Sequence, residues 1–544
     1  MPPQMKTGIT GLDRILEGGF FYHNSILLKG PPGSGKTTLG IQIIHNGAMQ
    51  FNEPGIIVLF EQFPQQLFRD LSSYHWDIQK LIDEKKIAVI FAQPDEVIEG
   101  DQVADAPLVS KIHDAVVDMG AKRILIDSIS HFLHIIKPRL QEREFLLKFI
   151  NSLKSIGLTP FMTAEMAGVN APPSVEEYLS DCVLILSNEA SKDKTFPMRQ
   201  IEIKKTRGHG HVRGHHPLRI GENGIDVFPH ILPESFGKEI GEEVTIEKIS
   251  SGINGLNELL GGGFTRGTST IVAGMPGTYK TTMGVQFLEE GAESGEKGLL
   301  LTFNERPQFL VSTMEQRGLH IQKHLSNGNL RIWHFFPKDY YVDELLFLLE
   351  EELNRGEVKR VVIDAINELE RSIEDSAMYK DYISAFLSLL TRSNVTSLFL
   401  QKIDQLTGNA ALTNIKYASR FDGIIYVGTV ELESAVQKVI SVMKMRGGDY
   451  TSDLRRIACG EKGLYVSDKF VGVSGILSGN PQGQYKKTVE EIFQPLYFLQ
   501  DFTNMLATSE MDENQKQQVI RNLRDETTKL VEKLKEYFDL EGLE

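Results

Sequence analysis

The stretch GPPGSGKTT at residues 30–38 decides the fold, because its first eight letters fit the phosphate-loop pattern G-x-x-x-x-G-K-[ST] completely. It stands between the apolar run SILLKG and the helical pattern TTLGIQIIHNG, which is the strand–loop–helix context that the motif needs. In such a loop the backbone N–H groups turn toward phosphates, the lysine reaches the β and γ oxygens, and the hydroxyl meets Mg²⁺. The sequence therefore predicts a phosphate-binding site at residues 30–37.

A second loop, GMPGTYKTT at residues 274–282, repeats the first with Tyr279 in the place of Gly35. If this position needs a left-handed backbone, a residue other than glycine costs on the order of 1–2 kcal/mol. We expect that penalty to weaken the loop without abolishing binding, since Lys280 and Thr281 remain. The tyrosine ring has two further options, which are packing against the nucleotide and packing against a neighbour.

The rest of the chain repeats in the same order. The corresponding motifs lie 237 to 244 residues apart, which indicates two whole domains rather than a short solenoid repeat. The pairs are TGITGLDRILEGGF (7–20) with SGINGLNELLGGGF (251–264), RILIDSIS (123–130) with RVVIDAIN (360–367), and IKKTRG (203–208) with VMKMRG (442–447). We predict domains at residues 1–240 and 241–482, followed by a helical C-terminal extension at 483–544.

Within each repeat, short apolar runs alternate with amphipathic stretches. ILLKG, IIVLF, ILIDS and CVLILS each look like a strand that is buried on both faces, and REFLLKFINSLKSIG is typical of a helix. Strands that alternate with helices predict an α/β fold with a parallel sheet covered by helices. The tail after residue 485 looks helical, with an apolar spacing of three and four that suits either packing on its own domain or an oligomer contact.

The composition is that of an ordinary globular protein, with 41% hydrophobic and 24% charged residues among 544. No apolar run is long enough for a membrane span, and the N-terminus has no signal-peptide centre. Cys182 and Cys459 have no metal spacing, which suits a reducing cytoplasm. The net charge of −15 disfavours non-specific nucleic-acid binding, although KKTRGHGHVRGHH (204–216) leaves room for a local basic patch.

Two carboxylates of the first repeat are candidates for chemistry beside the loop. Asp127 ends the apolar run RILID, where a carboxylate can contact the hydration shell of Mg²⁺. Glu61 ends the run IIVLFE and is the best candidate for orienting and deprotonating an attacking water. For Glu61, spacing alone favours equally a solvated carboxylate at a strand end.

The doubled TGI-x-GLD/SGI-x-GLN segment, the doubled phosphate loop, VEEYLSD (175–181), KTRGHGH (205–211) and KMRG (444–447) resemble the KaiC family of tandem RecA-type ATPases of bacterial clocks. The resemblance covers residues 5 to about 482. It implies ring hexamers that bind ATP and Mg²⁺ between neighbouring subunits. It also implies hydrolysis in the first domain and, in clock members, phosphorylation of the protein's own serine and threonine in the second.

Carried over from the family, the first site looks intact. Glu61 matches the catalytic glutamate, but Gln62 replaces the second glutamate of the family. Lys205 and Arg207 match basic residues that reach the neighbour's γ-phosphate. The resemblance implies contacts with nucleotide or Mg²⁺ for Gly33, Ser34, Gly35, Lys36, Thr37, Thr38, Ser73, Asp127, Lys205, Arg207, His209 and His211.

The second site departs from the family pattern at the catalytic position. Asn304 stands in place of the glutamate, followed by Glu305. Asparagine cannot take a proton at neutral pH, and losing a general base typically costs roughly 10²–10⁴ in rate. We therefore expect nucleotide binding with slow turnover. The implied binding set is Gly277, Thr278, Tyr279, Lys280, Thr281, Thr282, Asn304, Asp364, Lys438, Lys444, Met445 and Arg446, with Thr281 toward Mg²⁺.

The family's Ser-Thr acceptor pair falls on Ala418 and Ser419, and Thr413 is a further hydroxyl nearby. The leading hypothesis is a hexameric ATPase with turnover in the first ring. The alternatives are a self-phosphorylating kinase with Ser419 as acceptor, a RecA-like DNA motor, and a scaffold that binds nucleotide only to assemble. The tail is expected to pair two rings or to recruit a partner, and a KaiB-like partner stays open.

One competing idea concerns metal binding. His209, His211, His215 and His216 lie close in sequence, which raises a metal site as an alternative to the interface loop. Glycines separate the histidines, and no acidic or thiolate residue accompanies them. We therefore favour the interface loop.

Overall fold

The computed structural model describes most of the two repeats and one helix of the tail. The described residues are 3–61, 63–93, 96, 106–130, 139–166, 172–189, 198–230, 246–336, 339–371, 373, 376–403, 417–432, 435–469, 473–474, 482–483 and 512–538. The domain boundary at 240/241 lies outside this range and stays a prediction.

The chain divides into two compact units. The first comprises Met1–Lys238, Phe335–Gly356 and Glu368–Leu389, and the second comprises Glu239–His334, Glu357–Asn367 and Leu390–Glu544. Two segments of the second sequence repeat are thus grouped with the first unit. A division by contacts therefore differs from a division by sequence repeat.

The first unit is built on a sheet of nine strands. Six neighbouring strands run parallel and three at one edge are antiparallel. The loop strand lies in the middle and is buried along its whole length, as its apolar sequence predicts. In spatial order the strands are Gly224–Val227, His215–Gly221, Met198–Lys205, Cys182–Glu189, Ile26–Gly30, Thr159–Glu165, Arg123–Asp127, Gly55–Leu59 and Ile87–Phe91.

Helices connect these strands. Helix Lys36–Gln50 begins directly at the end of the phosphate loop and packs its apolar side against the sheet. The helices that the structure describes in this repeat are Thr10–Ile15, Lys36–Gln50, Pro64–Leu71, Ile78–Asp83, Pro107–Met119, Arg139–Ser155 and Val175–Leu179. A two-stranded ladder joins Gln4–Met5 to Phe20–Phe21.

The second repeat has a sheet of the same size and the same pattern of parallel and antiparallel pairs. Its loop strand is also central and buried. In spatial order the strands are Leu330–His334, Lys297–Thr302, Val358–Asp364, Thr396–Lys402, Ser269–Gly274, Gly423–Leu432, Ala435–Met445, Arg455–Gly460 and Gly463–Lys469. The predicted α/β fold with two tandem RecA-like domains is confirmed.

The described part of the second repeat also contains helices. They are Leu256–Leu259, Lys280–Glu293, Pro307–Gln316, Ile321–Ser326, Val342–Asn354, Ile366–Arg371 and Ser376–Arg392, with a 3₁₀ turn at Ala418–Arg420. Short ladders join Lys248–Ile249 to Phe264–Thr265 and Val473–Ser474 to Gln482–Gly483.

In the predicted helical tail the structure describes one helix, Glu513–Phe538. The remainder of 483–544, apart from Gly483 and residue 512, lies outside the described residues. None of the helices in the described part of the chain combines the length and apolar character that crossing a membrane requires.

Candidate nucleotide sites

The first phosphate loop links strand Ile26–Gly30 to helix Lys36–Gln50. Gly33 and Gly35 both have left-handed backbones, with φ of 74° and 101°. The Lys36 ammonium curls back over the loop and donates to the carbonyls of Gly30 and Pro31, at 2.9 and 3.0 Å. Burial lowers the pKa of Lys36. This lysine therefore gains from an anionic partner.

A hydroxyl and a carboxylate meet beside this loop. Thr37 donates through Oγ1 to Oδ2 of Asp127 over 3.0 Å, and Thr163 donates to the other carboxylate oxygen. Burial raises the pKa of Asp127. Because a divalent cation favours the ionised form of a nearby carboxylate, this buried oxygen pair fits Mg²⁺. The two predicted metal contacts of the first site are thus adjacent.

The second loop has the same shape despite its tyrosine. Tyr279 takes the left-handed conformation, with φ of 69°, at the place where Gly35 has φ of 101°. Lys280 donates to the carbonyls of Gly274 and Met275, at 2.8 and 2.6 Å. The condition set for the strain argument, a left-handed backbone at residue 279, therefore holds.

The carboxylate of the second site is equally buried. Thr281 donates to Asp364 over 2.6 Å, as Thr37 does to Asp127. Burial, with a smaller contribution from the nearby Glu305, raises the pKa of Asp364 to about 6. Burial lowers the pKa of Lys280 to about 8. The second site thus has the same hydroxyl, carboxylate and lysine, and it too fits Mg²⁺ at its hydroxyl–carboxylate pair.

A cation from the long antiparallel strand meets each loop, by different means. In the first repeat, Arg199 donates through Nε to the carbonyl of Gly33 over 3.4 Å. In the second repeat, the ammonium of Lys438 lies 3.5 Å from the centroid of the Tyr279 ring. The guanidinium of Arg317 lies 6.0 Å from the same ring and donates to the hydroxyl of Thr282. The tyrosine therefore packs against cations of its own repeat.

The basic residues predicted to act across a subunit boundary lie elsewhere. Lys205 donates to three carbonyls at the end of helix Val175–Leu179, those of Glu177, Tyr178 and Ser180, at 3.1, 3.2 and 2.6 Å. Arg207 donates to the Asp181 carboxylate over 3.3 Å. Among the described residues, these bonds go to 177–181 rather than to the protomer's own phosphate loop.

The second repeat reproduces this arrangement. Lys444 donates to the carbonyl of Phe421 over 2.6 Å. Arg446 donates to Asp422 at 3.5 Å and to the carbonyl of Ser419 at 3.4 Å. Met445 is a buried residue between the two. The predicted phosphorylation site Ser419 is exposed and lies beside a guanidinium.

The remaining predicted residues differ in how far they are buried. Glu61 and Asn304 are exposed, each two residues beyond the last residue of its strand. Ser73 donates to the carbonyl of Asp70 near the end of helix Pro64–Leu71. Gln62 and Thr413 lie outside the described residues. Three loop residues, Ser34, Thr278 and Thr282, are fully buried, and Gly277 has φ of 78°. Thr38 is half-buried in the first turn of its helix.

The histidines of the interface loop do not share one centre. His209 contacts the carbonyl of Gly210 through Nδ1, His211 contacts Thr206, and the buried His216 contacts the carbonyl of Val212. His215 is exposed. Within the described part of the chain, no group of three or more His, Cys, Asp or Glu side chains could coordinate a metal ion. The geometry gives the competing metal site no support.

The family model described as the ATPase KaiC matches residues 5–231 and again 249–469. The chain belongs to the KaiC family. The protein named circadian clock oscillator protein KaiC from Synechococcus elongatus is 30% identical over 485 residues, covering 88% of this chain and 92% of that protein. Its namesake from Parathermosynechococcus lividus is also 30% identical, covering 88% of each chain. The one from Prochlorococcus marinus strain MIT 9313 is 28% identical, covering 88% of this chain and 95% of that protein.

Membership in the KaiC family confirms the predicted resemblance and identifies the chain as a P-loop ATPase of that family. One pair of residues was missed from the sequence. Glu165 ends strand Thr159–Glu165, and Lys402 ends the corresponding strand Thr396–Lys402. Aligning TPFMTAE with TSLFLQK would have revealed this reversal of charge.

Proposed function

We propose that this chain is a ring-forming ATPase that binds ATP and Mg²⁺ in both repeats and hydrolyses ATP mainly in the first. The observation that carries the proposal is the shared lysine, hydroxyl and buried carboxylate beside each loop, combined with a glutamate at residue 61 and an asparagine at residue 304. The second repeat then contributes mainly to assembly.

The residues of the first site have separate tasks in this proposal. The loop amides and Lys36 bind the phosphates, while Thr37 and Asp127 orient the metal. Bound Mg²⁺ neutralises charge on the phosphate oxygens. Glu61 orients the attacking water and accepts its proton. The charged tips of Lys205 and Arg207 are bonded to 177–181 of their own protomer. In this proposal Arg207 exchanges its bond to Asp181 for the phosphate of a neighbouring protomer, where it stabilises negative charge.

The proposed assembly is a hexamer with nucleotide at its subunit interfaces. The named relatives are circadian clock oscillator proteins. We infer that turnover changes the ring conformation for a signalling purpose, and that a KaiB-like protein is a candidate partner. Helix Glu513–Phe538 is the candidate element for pairing two rings.

A size-resolved ATPase assay with and without ATP tests this proposal. We expect Lys36→Ala and Glu61→Gln to abolish most phosphate release while the ring still assembles. We expect Lys280→Ala to weaken nucleotide-dependent assembly. Full turnover in Glu61→Gln would contradict a catalytic role for that residue. A protein that stays a single protomer with saturating ATP and Mg²⁺ would contradict the ring.

A second candidate activity is self-phosphorylation at Ser419. The hydroxyl is exposed in the 3₁₀ turn Ala418–Arg420, next to Arg446, which is suited to stabilise added phosphate. Mass spectrometry after incubation with ATP, with Ser419→Ala as control, decides this point. Phosphate elsewhere in the second repeat, unchanged in Ser419→Ala, would exclude Ser419 as the acceptor.

A further inference from the structure

Glu165 and Lys402 occupy the same place in their two sheets. In the ladder between the loop strand and its neighbour, Glu165 is the register partner of Gly30. Lys402 is the register partner of Gly274 in the second sheet. Each residue is therefore the last of its strand, level with the first residue of the phosphate loop.

The phosphate-loop lysines lie at the same edge of their sheets, the edge at which the parallel strands end. Lys36 donates to the Gly30 carbonyl over 2.9 Å, and Lys280 donates to the Gly274 carbonyl over 2.8 Å. Residues 165 and 402 are thus one strand away from the carbonyl that each loop lysine contacts.

The backbones of both residues are fixed, while their side chains are exposed. The amide of Glu165 donates to the hydroxyl of Ser130 over 3.0 Å. The amide of Lys402 donates to the side chain of Asn367 over 2.7 Å, and Asn367 donates back to the Lys402 carbonyl over 3.0 Å. A rigid strand end with an exposed side chain is suited to present a charge to a ligand.

The two loops therefore differ in their electrostatics. Burial is the main influence on the pKa of both lysines, and the strand-end carboxylate of each site, Asp127 or Asp364, opposes it. The difference lies in the third group, because Glu165 acts to raise the pKa of Lys36 whereas Lys402 acts to lower the pKa of Lys280. An ammonium in the place of a carboxylate makes the second loop more attractive to a polyanion. Hydrogen bonds between charged partners are about twice as strong as neutral ones.

We propose that Lys402 binds the terminal phosphate of the nucleotide in the second site, so that this site retains nucleoside triphosphate longer than the first, where Glu165 opposes such a contact. The inference rests on the proposed function, in which both loops bind nucleotide. It adds a positive reason for slow turnover and tight retention in the second repeat, beyond the missing base at Asn304.

The test measures release of a fluorescent ATP analogue, with Mg²⁺, from the full chain in a Lys36→Ala background that silences the first loop. We expect Lys402→Gln to release the triphosphate about 10- to 100-fold faster, because a hydrogen bond to a charged group has that order of effect. The corresponding diphosphate should change less than about threefold, since it lacks the terminal phosphate. The control variant Lys323→Gln removes an exposed charge from helix Ile321–Ser326 and should leave both release rates unchanged.

The reciprocal test uses Glu165→Gln in a Lys280→Ala background, where slower triphosphate release from the first loop is expected. Equal effects of Lys402→Gln on triphosphate and diphosphate, or no effect, would overturn the inference while leaving the proposed function intact. If the parent with only the second loop binds no nucleotide, the proposed function of that repeat itself fails.

Discussion

Tyr279 has a left-handed backbone in a loop where the other repeat has glycine. That conformation costs on the order of 1–2 kcal/mol for a residue other than glycine. The Lys438 ammonium lies 3.5 Å from the centre of the ring. A cation over an aromatic face is worth about 0.5–2 kcal/mol, so this contact offsets much of the strain. The strain that Tyr279 brings to the loop is therefore largely offset by its contact with Lys438, a contact that Gly35 has no side chain to make in the first repeat.

Replacing the tyrosine separates strain from stacking. We expect Tyr279→Leu, which keeps the strained backbone but loses the aromatic face, to weaken nucleotide binding at the second site by about 3- to 30-fold. Tyr279→Phe retains the face and should stay within about twofold of the parent. Equilibrium titration with a fluorescent nucleotide, in the Lys36→Ala background, measures both.

The lysine provides the matched control for that series. If the contact is the cause, Lys438→Met should weaken binding in the parent but have little further effect in Tyr279→Leu, because coupled residues are not additive. Simple additivity, or equal binding by the Leu and Phe variants, would show that the ring does not act through Lys438.

At the scale of elements, each phosphate loop lies beside a buried carboxylate, Asp127 or Asp364, that ends another strand of the same sheet and whose ionised form burial disfavours. For Asp364 burial raises the pKa from 3.8 to about 6. A raised carboxyl pKa gives stability that is present below about pH 4 and is lost as the pH rises through about 6. In the absence of ligand and well above pH 6, where Asp364 is ionised, replacing this carboxylate by a neutral side chain should therefore not destabilise the second repeat.

Asp364→Asn tests that reasoning. Without nucleotide and with EDTA, we expect the free energy of unfolding of the variant to rise relative to that of the parent by up to about 3 kcal/mol as the pH increases from 4 to 8. The reason is that each unit of pKa shift corresponds to about 1.4 kcal/mol. Thermal unfolding from pH 4 to 8 measures this. With ATP and Mg²⁺ the parent should be the more stable of the two proteins, since the amide of the variant cannot replace the carboxylate beside the metal. A pH-independent difference between the two proteins would contradict the burial argument.

The helices and strands were predictable because the same sequence motifs occur in both repeats. Runs such as ILLKG are strands buried on both faces, and the two loops follow them directly. The contacts of Tyr279 were not predictable, since Lys438 is distant in sequence and reaches the loop only through the fold of an antiparallel strand. The opposition of Glu165 and Lys402 depends on register, which single motifs do not specify.

At the scale of the whole molecule, each protomer of the proposed ring contributes one nucleotide site of each kind, so the ring would have equal numbers of both. In the proposed ring, the electrostatic difference between the two loops would give the two repeats different tasks. In that proposal, a second repeat that releases nucleotide slowly would keep protomers together while the first repeat turns over. Assembly and hydrolysis would thus respond to different mutations in one chain.

The decisive feature of the proposed ring is that every site is completed by a neighbour, and mixing two inactive variants tests it. Glu61→Gln lacks the base but has Arg207, whereas Arg207→Gln has the base but lacks the guanidinium. Each should be nearly inactive alone. When separate protomers are mixed in equal amounts before ATP is added, about one quarter of the interfaces combine two intact halves in a cyclic oligomer. We therefore expect phosphate release to recover to about a quarter of the parent rate. Mixing after assembly should restore little, because protomers must exchange first. If activity stays absent although mixed rings form, Arg207 does not act across the boundary between protomers.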